Sequence, residues 1–357
     1  MNSRLRMSQF ARLRLGDWGI PNTWIYAECL DSGRRWLLDR LSCATLVVFS
    51  GGRSTIEALD ILEGISKKPR NSLERVIVRL TKQRLLTSTD EPSDHIATSW
   101  IERGWIAAYD FQVATDDYPF LDYRRGGKDE DRKRMRAYRS SETDPLTQIA
   151  QAVSDREPLR TETLKQLASH FATPLEIEGA PSALNLTKLR RVVSLALAFR
   201  MPGNKLRRTS PSGGARHPID AYVQAMHIKG IPKGLYSYDP AADSLRIAAI
   251  DLIPEGALSG FYPPYSAFRP EAIVLLYARF ERNMFRYREP RTLRSVFMDA
   301  GHVASTIEEL STTTGISCHV HHAVDEDAID MALGVKLLDC GFIIGVGLSG
   351  TLRQDVR

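Results

Sequence analysis

Residues 207–218 read RRTSPSGGARHP, a stretch that places glycine, serine and arginine side by side. Gly213 and Gly214 let the backbone approach a ligand closely, because glycine has no Cβ atom. The hydroxyl and guanidinium groups that can bind an anion there belong to Ser210, Ser212, Arg207, Arg208 and Arg216. This composition suits a planar cofactor that carries a phosphate. A glycine-rich surface turn has the same composition, so the spacing alone leaves both interpretations open.

The segments after this stretch alternate between strand and helix patterns. Strands are expected at 221–228, 272–278, 317–323 and 342–348, and helices at 296–312 and 325–333. Two further amphipathic helices are expected at 159–171 and 186–199, and Asn185 can cap the second of them. Short strands mixed with helices, without an internal repeat, predict an α+β fold.

The N-terminal part shows only short helices. Apolar residues recur at helical spacing in two runs that contain Ile56, Leu59, Leu62, Ile65, Leu73, Val76, Ile77 and Leu80. Pro69 separates the runs, Ser72 can cap the second helix, and residues 85–89 suit a short strand or wing. Two short helices followed by a wing-like strand predict a winged-helix-like module.

Length and charge indicate how the chain is divided. Ordinary domains span about 100 to 200 residues, so a chain of 357 residues is expected to form two. The net charge is +5, and residues 124–139 alone hold eight basic and three acidic residues, which indicates one local basic patch in an exposed loop or connector. We therefore expect a winged-helix-like domain over 1–91, an aromatic and charged connector over 92–145, and an α+β domain over 146–357.

Membrane and metal functions find little support in the sequence. A run of about 18 uncharged apolar residues is missing, and the N-terminus does not resemble a secretory signal, so a cytoplasmic protein without a membrane segment is expected. Residues 318–322 read CHVHH, which would put His319 and His321 on one strand face and Cys318 and His322 on the other. Since no second cluster supplies further ligands, no metal site is predicted.

DNA binding by the winged-helix-like module is the weaker interpretation of its charges. Its second helix carries basic residues that can meet phosphates, namely Arg75, Arg79, Lys82 and Arg84. The neighbouring helix carries Glu57, Asp60 and Glu63, and an extended basic surface is missing. Nucleic acid is therefore not expected as a partner.

The stretch 207–218 resembles the flavin-contacting motif of the SagB-type dehydrogenases, also called the SagB/ThcOx group, of the nitroreductase superfamily. The resemblance continues in KGLYSYDP at 233–240, which would form a turn after a strand, and in DAGH at 299–302, which resembles the start of a helix. ALGV at 332–335 and GVG at 345–347 resemble the closing helix and strand. Within the group, the chain is most similar to the peptide maturation dehydrogenases.

The resemblance implies a nitroreductase-like fold, with a mostly antiparallel sheet flanked by helices, that holds FMN between the subunits of a homodimer. Members oxidise thiazolines and oxazolines in ribosomally made peptides, usually with a cyclodehydratase or other maturation enzyme as partner. The N-terminal module would then hold the precursor peptide. The implied cofactor-binding residues are Arg207, Arg208, Ser210, Pro211, Ser212, Gly213, Gly214, Gly345 and Gly347, and Arg353 lies where it could reach the phosphate without matching a motif.

The chain departs from the group at the predicted catalytic pair. Azoline dehydrogenases have a Lys-Tyr pair before the DAGH helix, with lysine proposed as the base, whereas this chain has Arg286 and Tyr287. Arginine stays protonated and cannot easily accept a proton, so Tyr287 is predicted to be the acid or base, while Arg286 holds a carboxylate or stabilises an anion. The alternative is that the pair lies at the surface end of a strand.

The predicted function is FMN-dependent dehydrogenation of a ribosomal peptide, at an azoline or another backbone position. One alternative is a flavin-dependent reductase of dehydroamino acids or small electrophiles. Another is an inactive scaffold that binds peptide or DNA. His302 is interpreted as a core histidine with a satisfied partner, whereas His217 is interpreted equally well as functional or structural.

Overall fold

The computed structural model describes residues 4–15, 25–90, 94–116, 121–154, 184–200 and 206–350. The chain forms two units, residues 1–120 and residues 121–357. The domain boundaries expected after residues 91 and 145 stay a prediction.

The first unit contains short strands and helices in alternation. Its strands are β1 (Arg4–Met7), β2 (Ala11–Leu15), β3 (Ile25–Cys29), β4 (Arg34–Leu37), β5 (Arg53–Ser54) and β6 (Leu86–Ser88). Its helices are α1 (Arg40–Val48), α2 (Thr55–Ser66), α3 (Arg70–Lys82), α4 (Asp94–Glu102) and α5 (Ile106–Thr115). In the described residues, the strands pair in the orders β2-β3-β4 and β5-β1-β6, and every pair is antiparallel.

Both helices predicted between residues 54 and 84 are present, and their apolar faces build the core of this unit. Ser54 and Glu57 form a reciprocal capping box at the start of α2. The predicted cap of α3 was wrong, because α3 begins at Arg70, two residues before Ser72, after a proline whose fixed φ suits a helix start. The expected strand at 85–89 is β6, which pairs with β1. The winged-helix assignment stays a prediction.

The second unit is built on a sheet with the strand order β11-β12-β10-β7-β8-β9, in which all described neighbours are antiparallel. Its strands are β7 (Ile219–Ala225), β8 (Gly234–Asp239), β9 (Ser244–Ala249), β10 (Ala272–Arg279), β11 (Ser317–His321) and β12 (Cys340–Ser349). Its helices include α6 (Gly127–Ser141), α7 (Pro145–Ser154), Leu186–Leu197, Phe280–Met284, Thr292–Thr313 and Glu326–Leu333. We call α6 the charged helix and Thr292–Thr313 the long helix. The predicted α+β class is confirmed.

The two faces of this sheet bury different cores, because successive side chains of a strand point to opposite faces. Val274 and Val346 lie in the core that also contains Val303 and Ile307 of the long helix. Leu275 and Tyr277 lie in the core on the other face. The long helix therefore covers one face only.

The elements predicted for this unit are present where they fall within the described residues, with shifted ends. Asn185 caps the helix Leu186–Leu197 as expected, since its side chain accepts a hydrogen bond from Lys188 N. The KGLYSYDP segment is not a turn but strand β8, whose Leu235 and Tyr236 are buried in opposite cores. DAGH does not start a helix, because the long helix begins seven residues earlier, at Thr292. The helix expected at 159–171 lies outside the described residues.

The run of charges predicted as a loop or connector is helical. The charged helix has Asp129 and Glu130 in its first turn and Arg139 in its last turn, which complements the helix dipole. Asp129–Arg132 and Glu130–Arg134 ion pairs, at 3.1 Å each, join neighbouring turns. Opposite charges at helical spacing therefore produce a solvated helix. In the described residues, we find no helix that is long and apolar enough to cross a membrane.

Candidate functional site

The stretch 207–218, called the motif loop from here on, leads into the start of β7 and contacts the long helix through Asp299. Arg207, Pro211 and Gly214 are exposed, whereas Arg208 and Ser210 are buried. The backbone has positive φ at Gly214 (60°), Ala215 (54°) and His217 (47°). Positive φ at two residues that are not glycine is uncommon and requires support from the surrounding structure.

Asp299 of the long helix supplies that support. Ser212 Oγ donates to Asp299 Oδ2 at 2.5 Å, and Gly213 N donates to Oδ1 at 3.1 Å. His217 N in turn donates to Ser212 Oγ at 2.8 Å. Burial raises the pKa of Asp299, although the hydrogen bonds from Ser212 and Gly213 act in the opposite direction. No role was predicted for Asp299, although a carboxylate between Val296 and Ala300 on a buried helix face was the available signal.

These contacts limit which groups of the motif loop are free to bind a ligand. The amide groups of Gly213, Ala215, Arg216 and His217 all donate to acceptors within the protein. A cofactor held by these four amide groups is therefore not supported by this geometry, because each group can donate only one good hydrogen bond.

The side chain of Arg208 is buried in a cluster of three arginines, Arg208, Arg279 and Arg282, which we call the arginine cluster. Its guanidinium packs 4.1 Å from the Phe199 ring centroid and lies 3.2 Å from Asp220. Asp220 also binds Arg282 at 2.7 Å and Arg279 at 3.6 Å. Burial lowers the pKa of Arg208 to about 10, which the charge of Asp220 partly offsets. Three guanidinium groups thus share one carboxylate at the start of β7.

His217 is buried in the field of this arginine cluster. It is 5% exposed, and its Nε2 atom has no hydrogen-bond partner within the described parts of the chain. Burial, and then the positive charges of Arg208 and Arg282, lower the pKa of His217 to about 3. The imidazole is therefore neutral at physiological pH.

Arg216, the third arginine of the motif loop, has a structural partner. It forms a buried ion pair with Asp144 at 2.8 Å and packs 5.4 Å from the Phe285 ring centroid. Asp144 precedes α7, so this pair joins the motif loop to the segment that connects the charged helix with α7. Arg216 is thereby occupied within the protein.

Tyr287 and Arg286 do not lie at the end of a strand. They follow the helix Phe280–Met284 and are half-buried. The hydroxyl of Tyr287 lies so close to Gly214 that a Cβ atom at that position would clash with it. Arg286 lies 5.3 Å from the Tyr287 ring centroid and forms an ion pair with Asp131 at 2.9 Å. The structure thus brings the predicted catalytic pair to the motif loop.

Gly345 and Gly347 lie elsewhere. They pair with Leu275 and Ile273 of β10 and so share the sheet face opposite the long helix. A Cβ atom would come within 2.6 Å of Phe261 at Gly345 and within 3.2 Å of Phe268 at Gly347. Both glycines accommodate aromatic rings of this chain, and their contact with a cofactor stays a prediction. Arg353 lies outside the described residues.

The histidines predicted as candidates have other roles. His302 is exposed, so its assignment as a core histidine was wrong. His319 Nε2 lies 3.2 Å from the Gly260 carbonyl, and His321 Nδ1 accepts from Ala323 N at 2.9 Å. His322 lies beyond the end of β11 and stacks on His321, so it does not share a strand face with Cys318. The described residues contain no group of three side chains that could hold a metal ion.

Comparison with known proteins gives two curated relatives and weaker structural likenesses. No protein-family model matches the chain. The trifolitoxin-processing protein TfxB of Rhizobium leguminosarum bv. trifolii is 29% identical over 246 residues, which cover 63% of this chain and 65% of TfxB. The chain thus spans slightly less than two thirds of that relative. "Putative nitroreductase MJ1384" of Methanocaldococcus jannaschii is 30% identical over 160 residues, which cover 44% of this chain and 79% of that protein.

Among solved structures, a crystal structure described as a "putative nitroreductase" from Anabaena variabilis is 22% identical, with a TM-score of 0.42. The match covers 58% of this chain and 48% of that chain.

Proposed function

Since the chain belongs to the nitroreductase family, we propose that it is an FMN-dependent oxidoreductase that modifies a ribosomally made peptide. One observation carries the proposal: the Tyr287 hydroxyl lies against Gly214 in the motif loop. A group that can donate or accept a proton is thereby placed beside the segment that resembles a flavin motif. The relation to a trifolitoxin-processing protein favours a peptide as substrate.

The positive charge of the arginine cluster suits a cofactor that carries a phosphate. Arg208, Arg279 and Arg282 share the single carboxylate of Asp220, and buried positive charge is costly unless an anion balances it. The side chain of Arg279 is 39% exposed, and Arg207 is exposed, so both can meet an anion from solvent. These residues would hold the phosphate.

The chain's own contribution to the chemistry is proton transfer and positioning. When held by these residues, FMN would supply the hydride chemistry, as acceptor or as donor. Tyr287 takes or gives the accompanying proton at its hydroxyl. Arg286 stays charged: burial lowers its pKa, but the interactions with Tyr287, Asp131 and Tyr123 together raise that pKa by more. The direction we propose is dehydrogenation of the peptide, at an azoline ring or another backbone position.

Two partners belong to this proposal. The first is a precursor peptide docked on the first unit, where β4 is an edge strand of its sheet and can pair with an extended peptide. The second is another copy of this chain. The long helix exposes Phe297 (46%) and Met298 (58%) on the side away from the sheet core, next to Asp299. A second copy on that face would cover these apolar side chains and approach the motif loop.

The visible spectrum of the purified protein tests the proposal. We expect a yellow protein that releases FMN and that is bleached anaerobically by an azoline-containing precursor peptide but not by NADPH. Bleaching by NADPH alone would instead support the reductase of dehydroamino acids or small electrophiles. A colourless protein that cannot be reconstituted with FMN would leave only a scaffold that binds peptide or DNA.

A further inference from the structure

The charged helix packs against the segment that carries the proposed catalytic residues. Tyr138 contacts Phe285 with ring centroids 6.5 Å apart and lies 3.8 Å from the Arg288 guanidinium. Arg288 also pairs with Glu142, directly after the charged helix. Together with the Asp131–Arg286 pair, these contacts fix residues 285–288 from one side.

Asp131 stands at the end of a chain of contacts that reaches the motif loop. Its carboxylate binds Arg286 at 2.9 Å, Arg286 lies over the Tyr287 ring, and the Tyr287 hydroxyl touches Gly214. The side chains of Asp131 and Arg286 are 23% and 26% exposed, so the pair is largely shielded from water. Burial and the neighbouring Asp131 raise the pKa of Tyr123, which lies beside this pair.

The geometry of an arginine over an aromatic ring needs a partner that fixes the guanidinium. A free arginine side chain samples many rotamers, and a charge-assisted hydrogen bond to a carboxylate selects one of them. The stacked guanidinium then restricts the tyrosine ring beneath it. Without Asp131, the Arg286 guanidinium would turn to other acceptors, and the Tyr287 ring would lose the group that lies over it.

We propose that Asp131 is a positioning residue, which holds Arg286 over the Tyr287 ring and so keeps the tyrosine hydroxyl directed at the motif loop. This inference rests on the proposed function for its catalytic consequence, but its structural part can be tested without activity. Asp131 is separated from Arg286 by 155 positions, so local sequence patterns could not predict their contact.

The test compares Asp131→Asn with wild type and with Asp129→Asn, a matched control on the same helix whose aspartate forms an ion pair with Arg132 in the exposed first turns. Phenylglyoxal labelling of Arg286 and N-acetylimidazole labelling of Tyr287 are read by peptide mass spectrometry. We expect both labels to increase in Asp131→Asn, to stay at the wild-type level in Asp129→Asn, and to return towards it in Asp131→Glu. Unchanged labelling of Tyr287 in folded Asp131→Asn would overturn the proposal.

A kinetic readout separates positioning from a general structural role. We expect Asp131→Asn to lower kcat for FMN-coupled peptide oxidation roughly 10- to 100-fold, with KM and FMN affinity near wild type. Combining Asp131→Asn with Arg286→Gln should cost no more than Arg286→Gln alone, because Asp131 acts through Arg286. Additive losses would contradict the proposal. A wild-type protein that binds no FMN would contradict the proposed function. The labelling experiment would still decide whether Asp131 positions Arg286 and Tyr287.

Discussion

At the scale of single residues, Asp299 and His217 show how side chains fix the unusual backbone of the motif loop. Asp299 receives two hydrogen bonds from the loop, and His217 is kept neutral inside it by burial and by the arginine cluster. Neither role was predicted from the sequence. The contacts of Asp299 join positions 86 or more apart, and the neutral state of His217 depends on its burial. The serines and glycines that they hold were predicted from the motif.

Asp299→Asn should loosen the motif loop. The amide retains one acceptor oxygen, so either Ser212 or Gly213 loses its partner at a half-buried position. We expect a loss of about 1 to 3 kcal/mol in the free energy of unfolding, measured by denaturant titration, and weaker FMN binding. Glu309→Gln, an exposed acid-to-amide change on the same helix, serves as the control and should change neither quantity.

His217→Asn should make the free energy of unfolding depend less on pH below about 6.5. The pKa of His217 is lowered to about 3 in the folded state, below its unfolded value near 6.5, so its stabilisation is complete above pH 6.5 and is lost as the pH falls towards 3. The cost is about 1.4 kcal/mol per pH unit in that window. Asparagine tolerates positive φ and does not titrate. Equal slopes for variant and wild type between pH 6.5 and 4.5 would refute this.

At the scale of elements, hydrophobic patterns predicted the strands well, whereas the run of charges at 124–134 was wrongly predicted to be a loop or connector. The strands at 272–278 and 342–348 and the helix at 186–199 are present because burial of one or both faces dictates their periodicity. The charged helix buries few residues, so charged side chains that form ion pairs recur at helical spacing in its sequence, and apolar side chains do not. The sheet face on which Gly345 lies follows from the pairing of β12 with β10, and local sequence patterns do not contain that pairing.

Gly345→Ala tests what the glycines of β12 accommodate. The added methyl group would meet the ring of Phe261 at 2.6 Å, in a fully buried core. We expect a destabilisation of about 1 to 3 kcal/mol in chemical unfolding, reduced when Phe261→Leu makes room. Gly301→Ala, in open space on the long helix, should be neutral or stabilising. FMN titration of both variants shows whether the cofactor also approaches Gly345.

At the scale of the whole molecule, each unit has a core and a charge character of its own. The buried residues of the first unit's core lie between Ala11 and Leu86, and Leu5 and Met7 pack against them. Residues 1–90 contain 15 basic and nine acidic residues, so the interpretation of the basicity as one patch at 124–139 was incomplete. An excess of acidic residues elsewhere in the chain offsets this excess of basic residues, so the net charge of the whole chain does not reveal it.

Deleting residues 1–120 should separate peptide capture from cofactor binding. The remaining unit keeps its sheet, its motif loop and the Asp131–Arg286 pair. We expect the truncated protein to bind FMN with the full-length spectrum, while fluorescence anisotropy shows at least tenfold weaker binding of a labelled precursor peptide. Undiminished peptide binding would assign the docking surface to the second unit.

The contact between Tyr287 and Gly214 has a consequence for how this chain can evolve. Position 214 is constrained twice, by the space that the tyrosine hydroxyl occupies and by a φ of 60°. A lineage that replaces Tyr287 with a shorter residue releases the first constraint but keeps the second, so asparagine becomes the first tolerated alternative at 214. Among diverged relatives, the two positions should therefore covary: a side chain at 214 should accompany the loss of the tyrosine and should be rare where the tyrosine remains.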